Sequence, residues 1–546
     1  MSFHQTFFDD SEMDRLEGSL TELPPRCPPS GISILIVGAG PAGLFAALEC
    51  WRKGHDVRVI ERSPRPTTAG DHFSIAPQIA RHINTRWPGL AQQNEAIADD
   101  PWLSLHTITG ETIKGPAPIL WKDENNDDGN DDDDPLLPRR FYRHHRAKFL
   151  RMLMVAVRRA GIEITYSRRV VDYYEDAARQ VAGVRLSSES GSSASEATTT
   201  MEEADLVVAA DGVGTKSHGA VNGHDIRAES SGYSLYRTCF PVARLAPYPA
   251  LAHYLRPLDN GHSLVHVWAG HGVSFYFCRY PDLVGWAMQH KADEETASES
   301  WGSLVPVEKV LQFAESLFPD DDDSDGGLPD LLRNLIRASP DDGVVDWKLL
   351  LRDPQPRVAS PAGRVVQVGD SAHTFLPSSG DGANQGMEDA ISLASCLHVG
   401  GSKSNLEWAV KVHNKLRFER VACAQIVGFL RFKQTIHPPP PSSDDDDLCS
   451  SSSTAPTCAS SSSSSAAATA KPPIDLRSRL CRWQWSHDPE QYAYDQYGAA
   501  LRHLQMGTPF RNTNIPRGYE YQPWTFGEVM GLVAQGKFLE LGGDWS

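Results

Sequence analysis

The sequence predicts an α/β fold. A parallel sheet with covering helices is built from two separated parts of the chain, an antiparallel sheet lies between them, and a helical part follows at the C-terminus. The apolar run "ISILIV", the helix-like "PAGLFAALECWRKG" and the run "HDVRVIE" form a β-α-β start. The run "RVVQVGD", far along the chain, has the same buried-strand composition. Between them, segments such as "SLVHVWAG" and "GVSFYFCRYP" alternate and are rich in aromatic residues, which is typical of antiparallel strands.

Charge and composition exclude several classes of protein. The chain of 546 residues has a net charge of −18, but the runs at 123–134, 320–325 and 444–447 hold 17 of its carboxylates, so the remainder is nearly neutral. No basic surface is visible, which argues against nucleic-acid binding. The acidic N-terminus lacks an apolar signal segment, no apolar run reaches about eighteen residues, and the nine cysteines are scattered singly. These features predict a cytoplasmic protein with reduced thiols, no membrane segment and no metal site.

The stretch "VGAGPAG" places Gly38, Gly40 and Gly43 in the G-x-G-x-x-G spacing. The first glycine allows a tight turn, the second lets the backbone approach a pyrophosphate, and the third lets the helix pack closely on the strand. The N-terminus of that helix faces the phosphate charge. Glu61 ends the next strand, where its carboxylate can accept hydrogen bonds from a ribose. Strand, turn, helix and acidic residue together predict a Rossmann-like dinucleotide site.

Two later stretches carry a resemblance to a known family. "LVVAADGVGTKS" contains an Asp-Gly pair at 211–212, and "VGDSAHTFLPSSGDGANQG" contains the pattern G-D-x-A-H-x-x-x-P-x-x-G-x-G-x-N. With "LIVGAGPAGL" and the pair Glu61–Arg62, these stretches resemble the class A, or para-hydroxybenzoate hydroxylase-type, FAD-dependent monooxygenases. The resemblance covers residues 31 to 430, and the linkers are similar to those of fungal members that act in secondary metabolism.

The resemblance implies that FAD is bound by both halves of the chain. Arg146, at the start of "RAKFLRML", is implied to lie beside the flavin, and Asp370 to bind the ribityl or pyrophosphate part. The glycines that follow would turn backbone N–H groups toward the flavin, and a helix N-terminus there would stabilise negative charge on the reduced ring. His373 is expected to orient this turn rather than to act as an acid or base. The predicted cofactor-binding residues are Gly38, Gly40, Gly43, Glu61, Arg62, Arg146, Asp211, Gly212, Gly369, Asp370, Pro377, Gly380, Gly382, Ala383 and Asn384.

The chain departs from the family pattern after the Asp-Gly pair. Thr215 and His218 stand where the family usually has Ser and Arg. The threonine keeps the hydroxyl, but the missing arginine leaves open how the phosphates of a pyridine nucleotide are held. No second G-x-G-x-x-G is visible, which argues against a separate NADPH-binding domain.

Three residues are candidate catalytic residues that would contact the substrate or the flavin. His72, in "GDHFSIAP", follows the second strand, where the resemblance implies a flavin-contacting loop; a surface-loop histidine is an equally good interpretation. Tyr236 and Arg237, in "GYSLYRTCFPV", resemble the start of the family's substrate sheet and could clamp a phenolate or enolate, although an ordinary pair of sheet residues explains them as well.

The activity that the resemblance implies is insertion of one oxygen atom from O2 into a small, electron-rich substrate, phenolic or enolic and of polyketide type. NADPH (or NADH) would reduce the flavin, and the oxygen would be transferred through a flavin C4a-hydroperoxide. Epoxidation, Baeyer–Villiger insertion, and a flavin-binding reductase or interaction protein without oxygenase activity remain alternatives. The W-x-W pattern in "RWQWSHDP" is similar to one in flavin halogenases, but it lies near the C-terminus and lacks the Ile-Pro that follows it there.

The predicted organisation has six segments. They are a flexible arm (1–30), the first part of the FAD-binding domain (31–227) with a disordered insert (123–134), a substrate-binding sheet (228–352), the second part of the FAD-binding domain (353–437), a disordered linker (438–473) and a C-terminal helical region (474–546).

Overall fold

A computed structural model of the chain describes most of its residues. The described ranges are 22–66, 70–108, 110–118, 141–187, 200–252, 254–270, 272–292, 303–317, 329–341, 343–436 and 482–545. The predicted insert at 123–134, the predicted linker at 438–473 and the first part of the predicted arm therefore lie outside the described residues.

The strands of the described ranges are, in chain order, β1 (Ser33–Val37), β2 (Asp56–Ile60), β3 (His72–Ile75), β4 (Trp102–Thr107), β5 (Thr112–Pro118), β6 (Tyr142–His145), β7 (Glu163–Thr165), β8 (Val170–Asp176), β9 (Val181–Leu186), β10 (Thr200–Ala204), β11 (Leu206–Ala209), β12 (Glu229–Pro241), β13 (Leu264–Gly270), β14 (Val273–Arg279), β15 (Leu283–Lys291), β16 (Leu304–Val305), β17 (Val344–Leu351) and β18 (Val365–Gln367).

The α-helices of the same ranges are α1 (Pro41–Arg52), α2 (Pro77–Arg86), α3 (Pro88–Ile97), α4 (Arg146–Arg159), α5 (His218–Asn222), α6 (Val307–Ser316), α7 (Asp330–Arg337), α8 (Gly382–Gly400), α9 (Leu406–Ile436), α10 (Arg482–Trp485), α11 (Pro489–Met506) and α12 (Phe526–Ala534). Short 3₁₀ turns at Gly369–Ser371 and Pro377–Ser379 lead into α8.

A five-stranded parallel sheet forms the centre of the molecule, in the order β18-β11-β1-β2-β7. β18 comes from the far part of the chain, so the sheet is built from both halves, as the sequence predicts. Its strands are short and apolar on both faces, since α1 and α4 cover one face and the three-stranded sheet β10-β9-β8 covers the other. α1 begins with Pro41, whose missing N–H costs nothing in the first turn, and buries every residue from 43 to 50.

The predicted antiparallel sheet is also present. It has eight strands in the order β16-β17-β12-β15-β14-β13-β4-β5, and its pairs are antiparallel except β13 with β4. Two of its strands, β4 and β5, come from residues 102–118, inside the segment predicted as the first part of the FAD-binding domain. One face is packed with aromatic residues against α6 and α7. The α/β fold with an interleaved antiparallel sheet is therefore confirmed.

The C-terminal part is helical and docks on both halves of the core. Glu490, in the first turn of α11, accepts hydrogen bonds from Arg52 at the end of α1 (Nη2–Oε1 3.1 Å) and from Arg86 at the end of α2 (Nε–Oε2 2.6 Å). Ile515, Trp524 and the apolar face of α12 share a hydrophobic cluster with α9 and β17. No helix in the described ranges is long and apolar enough to cross a lipid bilayer.

Candidate active site

A single large cavity collects most of the predicted site residues. Its volume is about 1750 Å³, and its walls come from the β1–α1 turn, the 210–216 loop, the 368–383 segment and one face of the antiparallel sheet. A pocket for one drug-sized ligand has a volume of roughly 300–1000 Å³. The cavity is therefore large enough for a long cofactor together with a second molecule.

The first glycine turn has the geometry that its spacing predicts. Gly38 has a φ of +106°, and a Cβ atom there would lie 2.4 Å from the carbonyl oxygen of Ala210. A Cβ atom at Gly43 would lie 2.0 Å from the carbonyl oxygen of Gly38, so only glycine lets α1 pack this closely. At Gly40, in contrast, a Cβ atom would meet no protein atom within 4 Å. Gly40 lines the cavity, and the space in front of it is free for a ligand.

Replacing Gly40 with alanine should lower FAD affinity at least about tenfold, equivalent to about 1.4 kcal/mol, because the methyl group occupies the space that a pyrophosphate needs. The apoprotein should keep its melting temperature, since the new Cβ meets no protein atom. Gly43→Ala is the matched comparison, and it should destabilise the apoprotein itself by collision with the Gly38 carbonyl. Fluorescence titration with FAD and thermal unfolding without FAD measure the two effects. Equal FAD affinity for Gly40→Ala and the parent chain would contradict this use of the turn.

The Glu61 carboxylate binds backbone N–H groups of the turn, so it is not reserved for a ribose alone. One carboxylate oxygen accepts a hydrogen bond from the backbone N–H of Ala39 (2.9 Å), and the other accepts one from Ser63 (2.8 Å). Arg62 is exposed at the wall of the cavity beside it. Each carboxylate oxygen of Glu61 keeps further acceptor capacity toward a ligand.

Two loops from distant parts of the chain meet at the Asp-Gly pair. Asp211 accepts hydrogen bonds from the hydroxyl groups of Tyr173 (2.8 Å) and Ser371 (3.1 Å), and the backbone N–H of Gly212 donates to the Ser371 hydroxyl (2.9 Å). The Asp370 side chain is exposed and lines the cavity. Gly369 packs against α1, where a Cβ atom would lie 2.9 Å from Cβ of Ala42.

Arg352, which the sequence analysis did not select, ties these loops together. Its guanidinium donates to the carbonyl oxygens of Asp370 (3.0 Å) and Ser371 (3.3 Å) and to that of Val213. Its backbone N–H donates to the Thr374 hydroxyl (2.8 Å), and the residue is 3% exposed. A buried arginine at the end of β17 thus fixes the spacing of the two halves of the site.

Thr215 and His218, which depart from the family pattern, lie at the end of the first of these loops and just after it, and both line the cavity. The Thr215 hydroxyl lies 2.7 Å from that of Ser217, and the His218 ring lies 3.2 Å from the Gln367 amide. Burial lowers the pKa of His218 to about 4, so its ring is neutral at neutral pH. His218 therefore does not supply the positive charge of the family's arginine.

The second glycine turn runs along the cavity wall into α8. Pro377 starts the short 3₁₀ turn, Gly380 follows with a φ of +62°, and Gly382 begins α8. Ala383 lines the cavity beside them. His373 bonds Asp389 (2.6 Å), which also accepts the backbone N–H of Gly369, so this histidine orients the turn as expected.

Asn384 lies behind the turn rather than at the cavity surface. It is fully buried, its amide donates to the carbonyl oxygens of Ser74 (3.1 Å) and Gly380 (3.2 Å), and its oxygen accepts the N–H of Ala76 (3.0 Å). It therefore fixes the glycine turn to β3.

Asp381, between the two glycines, is a buried acid that the sequence analysis missed. It is 2% exposed, and it accepts hydrogen bonds from the amides of Gln385 (2.8 Å) and Gln484. Burial and the neighbouring Glu388 carboxylate raise the pKa of Asp381 to about 7. Folded chains therefore hold its proton over a pH range in which unfolded chains have lost it.

This titration gives a signed prediction for stability. Between about pH 4 and about pH 7 the folded state binds the extra proton, so the contribution of Asp381 to the free energy of unfolding falls as pH rises and levels off above about pH 7. Asp381→Asn lacks the titration and should be more stable than the parent chain above pH 7, by about 2–4 kcal/mol. Denaturant unfolding across this pH range measures the difference. The exposed Asp259→Asn is the control and should leave the pH profile unchanged. Parallel profiles for Asp381→Asn and the parent chain would refute the assignment.

Arg146 and the ion pair between Asp71 and Arg237 form another part of the cavity wall. The aliphatic part of Arg146 lies against Gly70, where a Cβ atom would lie 2.5 Å from its Cδ, and the Arg146 N–H donates to the Asp71 carbonyl (2.7 Å). Asp71 is 3% exposed and accepts hydrogen bonds from the Arg237 guanidinium (Nε–Oδ2 2.6 Å). Burial alone would raise the pKa of Asp71, but Arg237 outweighs it and holds the pKa well below its usual range. The result is a fixed ion pair at the cavity.

The three candidate substrate residues do not share one surface. Arg237 and His72 line the cavity, and the His72 ring packs edge-on against Tyr276 at 4.7 Å. Burial lowers the pKa of His72 well below its usual value, so the ring is neutral. Tyr236 lies on the opposite face of the sheet, where its ring stacks on His290 at 3.8 Å. Because side chains alternate along a strand, Tyr236 and Arg237 point in opposite directions. Tyr236 therefore does not face a ligand in the cavity.

The residues present fit FAD. The open space at Gly40 and at Gly380, where a Cβ atom would also meet no protein atom, leaves two stretches of bare backbone facing the cavity. The N-termini of α1 and α8 lie at these stretches and favour negative charge. Residues of both halves of the chain line the same cavity, as a long cofactor requires.

Comparison with known proteins agrees with this geometry. The sequence profile of a family described as "FAD binding domain" matches residues 32–246 and 331–400. The chain is 36% identical over 529 residues to the FAD-dependent monooxygenase fsr3 of Gibberella fujikuroi, covering 95% of this chain and 91% of that protein. It is 37% identical over 529 residues to the FAD-dependent monooxygenase mdpD of Emericella nidulans, covering 96% and 92%.

The chain belongs to the FAD-binding monooxygenase family. Solved structures support its fold: a crystal structure of CtdE in complex with FAD matches with a TM-score of 0.64 at 24% identity, covering 86% of this chain and 99% of that one. A structure of FqzB matches with a TM-score of 0.67 at 22% identity, covering 91% and 99%. This FAD-dependent monooxygenase is therefore an oxidoreductase whose cofactor is FAD, as the sequence predicts.

Proposed function

We propose that this monooxygenase uses NADPH (or NADH) and O2 to hydroxylate a small, electron-rich substrate of phenolic or enolic type, in secondary metabolism. The observation that carries the proposal is the composition of the cavity. Glycine turns from both halves of the chain line it, and so do Arg237, Tyr276 and Trp347 from the antiparallel sheet. A site with bare backbone on some walls and cationic and aromatic side chains on another suits a cofactor and an aromatic substrate together.

Bound FAD supplies the redox and oxygen chemistry. The chain's own part begins with the fifteen predicted cofactor residues. Thirteen of them line the cavity, and the other two, Gly43 and Asn384, support the turns from behind. The N-terminus of α8 faces the cavity and would stabilise negative charge on a reduced cofactor.

Arg237, on β12 of the antiparallel sheet, places a permanent positive charge at the cavity. Its ion pair with Asp71 fixes its position, and its guanidinium carbon lies 5.7 Å from the ring centroid of Trp347. We infer that it favours the ionised form of a phenol or enol, which is the more reactive form, while neutral His72 offers a hydrogen bond rather than a charge. Leu235 and Phe375 add apolar surface that limits water at the reacting atoms.

NADPH is expected to enter the same cavity, since the sequence contains no second dinucleotide motif. The test is NADPH consumption by the FAD-loaded protein with and without a panel of phenols and enolic compounds under labelled O2. We expect one compound to accelerate NADPH consumption and to gain one labelled oxygen atom. A product with an epoxide or an inserted ester oxygen would change the reaction type. A panel in which no compound stimulates consumption or gains oxygen would contradict the proposed substrate class.

A further inference from the structure

The segment "RWQW", whose pattern the proposed function does not use, returns to the cavity. It forms α10, after which the chain continues into the C-terminal helices. Trp485 at its end lines the cavity, together with Arg431 from the last turns of α9 and Phe141 just before β6. Arg431 and Trp485 lie outside both matched segments of the family profile, which ends at residue 400. They are therefore a feature that the family's shared core does not account for.

The three side chains form one contiguous cluster, which we call the aromatic clamp (Phe141, Arg431 and Trp485). The guanidinium carbon of Arg431 lies 5.4 Å from the ring centroid of Trp485. The ring of Phe141 meets that of Trp485 edge to face, with centroids 4.5 Å apart and an interplanar angle of 82°. Cation–π and edge-to-face contacts of this kind fix the relative orientation of the groups.

The clamp is held in place from two sides. Arg431 donates from Nη1 to the carbonyl oxygen of Ser379 (2.6 Å), in the turn that leads to α8. On the other side, Arg420 donates to the carbonyl oxygen of Gln484 (2.7 Å), and the Gln484 amide donates to Asp381. Trp485 itself is 3% exposed. The clamp therefore cannot move away without breaking contacts to the glycine turn.

The chemistry of the clamp selects one kind of ligand. An arginine presents a permanent positive charge and planar hydrogen-bond donors, which suit an anionic oxygen. Aromatic rings beside it offer flat apolar surface, which suits another ring. Phe375 lines the same cavity and adds apolar surface to it. An aliphatic or cationic ligand would gain little from this combination.

We propose that the aromatic clamp is a further substrate subsite of the cavity, in addition to Arg237, and binds a planar aromatic anion, with an anionic oxygen at Arg431 and a ring against Trp485 or Phe141. This inference rests on the proposed function and deepens it, because it names the residues that recognise the substrate's charge and shape. It assigns to the C-terminal part of the chain a role in specificity.

The test compares binding of hydroxynaphthoate, a planar aromatic anion, with binding of its uncharged methyl ester by calorimetry on the FAD-loaded protein. Arg431→Gln should weaken hydroxynaphthoate binding about tenfold or more, because a hydrogen bond to a charged group is lost, and should change binding of the ester less than about twofold. Trp485→Leu should weaken both. Trp483→Phe is the matched control in the same segment: its ring packs on Trp545 (6.1 Å) and on Arg420, and it should change neither.

Several outcomes would overturn the proposal. They are equal losses for acid and ester in Arg431→Gln, no loss in either clamp variant, and failure of the parent chain to bind hydroxynaphthoate. Arg431→Gln could instead lose FAD while its FAD-loaded fraction binds hydroxynaphthoate with unchanged affinity. That result would assign the arginine to cofactor binding and not to the substrate. Arg431→Lys, which keeps the charge, should restore part of the selectivity for the acid and guards against a folding defect. Because binding is measured without turnover, the proposed hydroxylation can fail while the subsite stands.

Discussion

Replacing Glu388 with glutamine is expected to lower the free energy of unfolding by about 3–5 kcal/mol, the largest stability effect we predict. The carboxylate of Glu388 is fully buried and lies between two arginines. Arg417 donates to it at 2.5 Å, and Arg420 donates to both of its oxygens at 2.7 and 2.9 Å. Burial alone would raise the pKa of Glu388, but the two arginines outweigh it and hold the pKa far below its usual range. An uncharged side chain would leave two buried guanidinium groups short of compensating charge.

The partly exposed surface pair formed by Glu407 and Lys411 on α9 provides the control. Glu407→Gln makes the same chemical change where both side chains are at least one-third exposed, so the expected loss is below about 1 kcal/mol. Denaturant unfolding of both variants measures the contrast. A loss for Glu388→Gln no larger than that for Glu407→Gln would show that the buried network does not stabilise the fold.

The same network explains why the C-terminal part is needed at the site. Arg420 donates not only to Glu388 but also to the carbonyl oxygens of Gln484 (2.7 Å) and Asn514 (2.9 Å). Glu388 lies on α8, which begins at the second glycine turn. One buried cluster of charge thus connects the cofactor turn, α9 and the segment that carries Trp485, and loosening it should disturb the cavity as well as the fold.

Local patterns in the sequence predict the framework of the site. Glycine spacing, a strand on one side and a helix on the other determine the geometry at Gly38 and Gly43, because each requirement concerns neighbouring residues. The return of the chain at "RVVQVGD" was predictable because the strand is apolar on both faces and a glycine-rich turn follows it. These features depend on short-range sequence and secondary structure.

Contacts between distant residues could not be predicted in the same way. Tyr236 and Arg237 are neighbours, and the strand pattern shows that they face opposite sides of the sheet but not which side meets the cavity. Arg352 lies in a stretch with no recognisable motif, and the stretches "GDHFSIAP" and "RWQWSHDP" do not show what Asp71 and Trp485 contact. The partners of these three residues are 139, 166 and 344 positions away in the chain. Such pairings follow from tertiary packing. Asp381 could have been selected as a candidate residue, since it lies inside the glycine turn that the sequence analysis quotes. Its burial, however, is not visible in the sequence.

Replacing Arg352 with methionine is expected to weaken FAD binding at least about a hundredfold, equivalent to about 2.7 kcal/mol. The guanidinium holds the carbonyl oxygens of Val213, Asp370 and Ser371, which belong to the two loops that meet at the cofactor cavity. Methionine has similar length but no donors, so the carbonyl groups lose their partner and the loops lose their fixed spacing. Each hydrogen bond to a charged group contributes about 1.5–3 kcal/mol, which makes the loss large even if water replaces part of it.

Arg357→Met is the control, since Arg357 lies five positions further along the chain and is exposed. FAD titration of both purified apoproteins measures the affinities, and thermal unfolding without FAD separates loss of the cofactor site from loss of the fold. If the Arg352→Met variant binds FAD as tightly as the Arg357→Met variant, the two loops keep their spacing without the arginine. A variant that stays folded but binds FAD weakly would show instead that the distance between the two halves of the chain, and not only the glycine turns themselves, determines cofactor affinity.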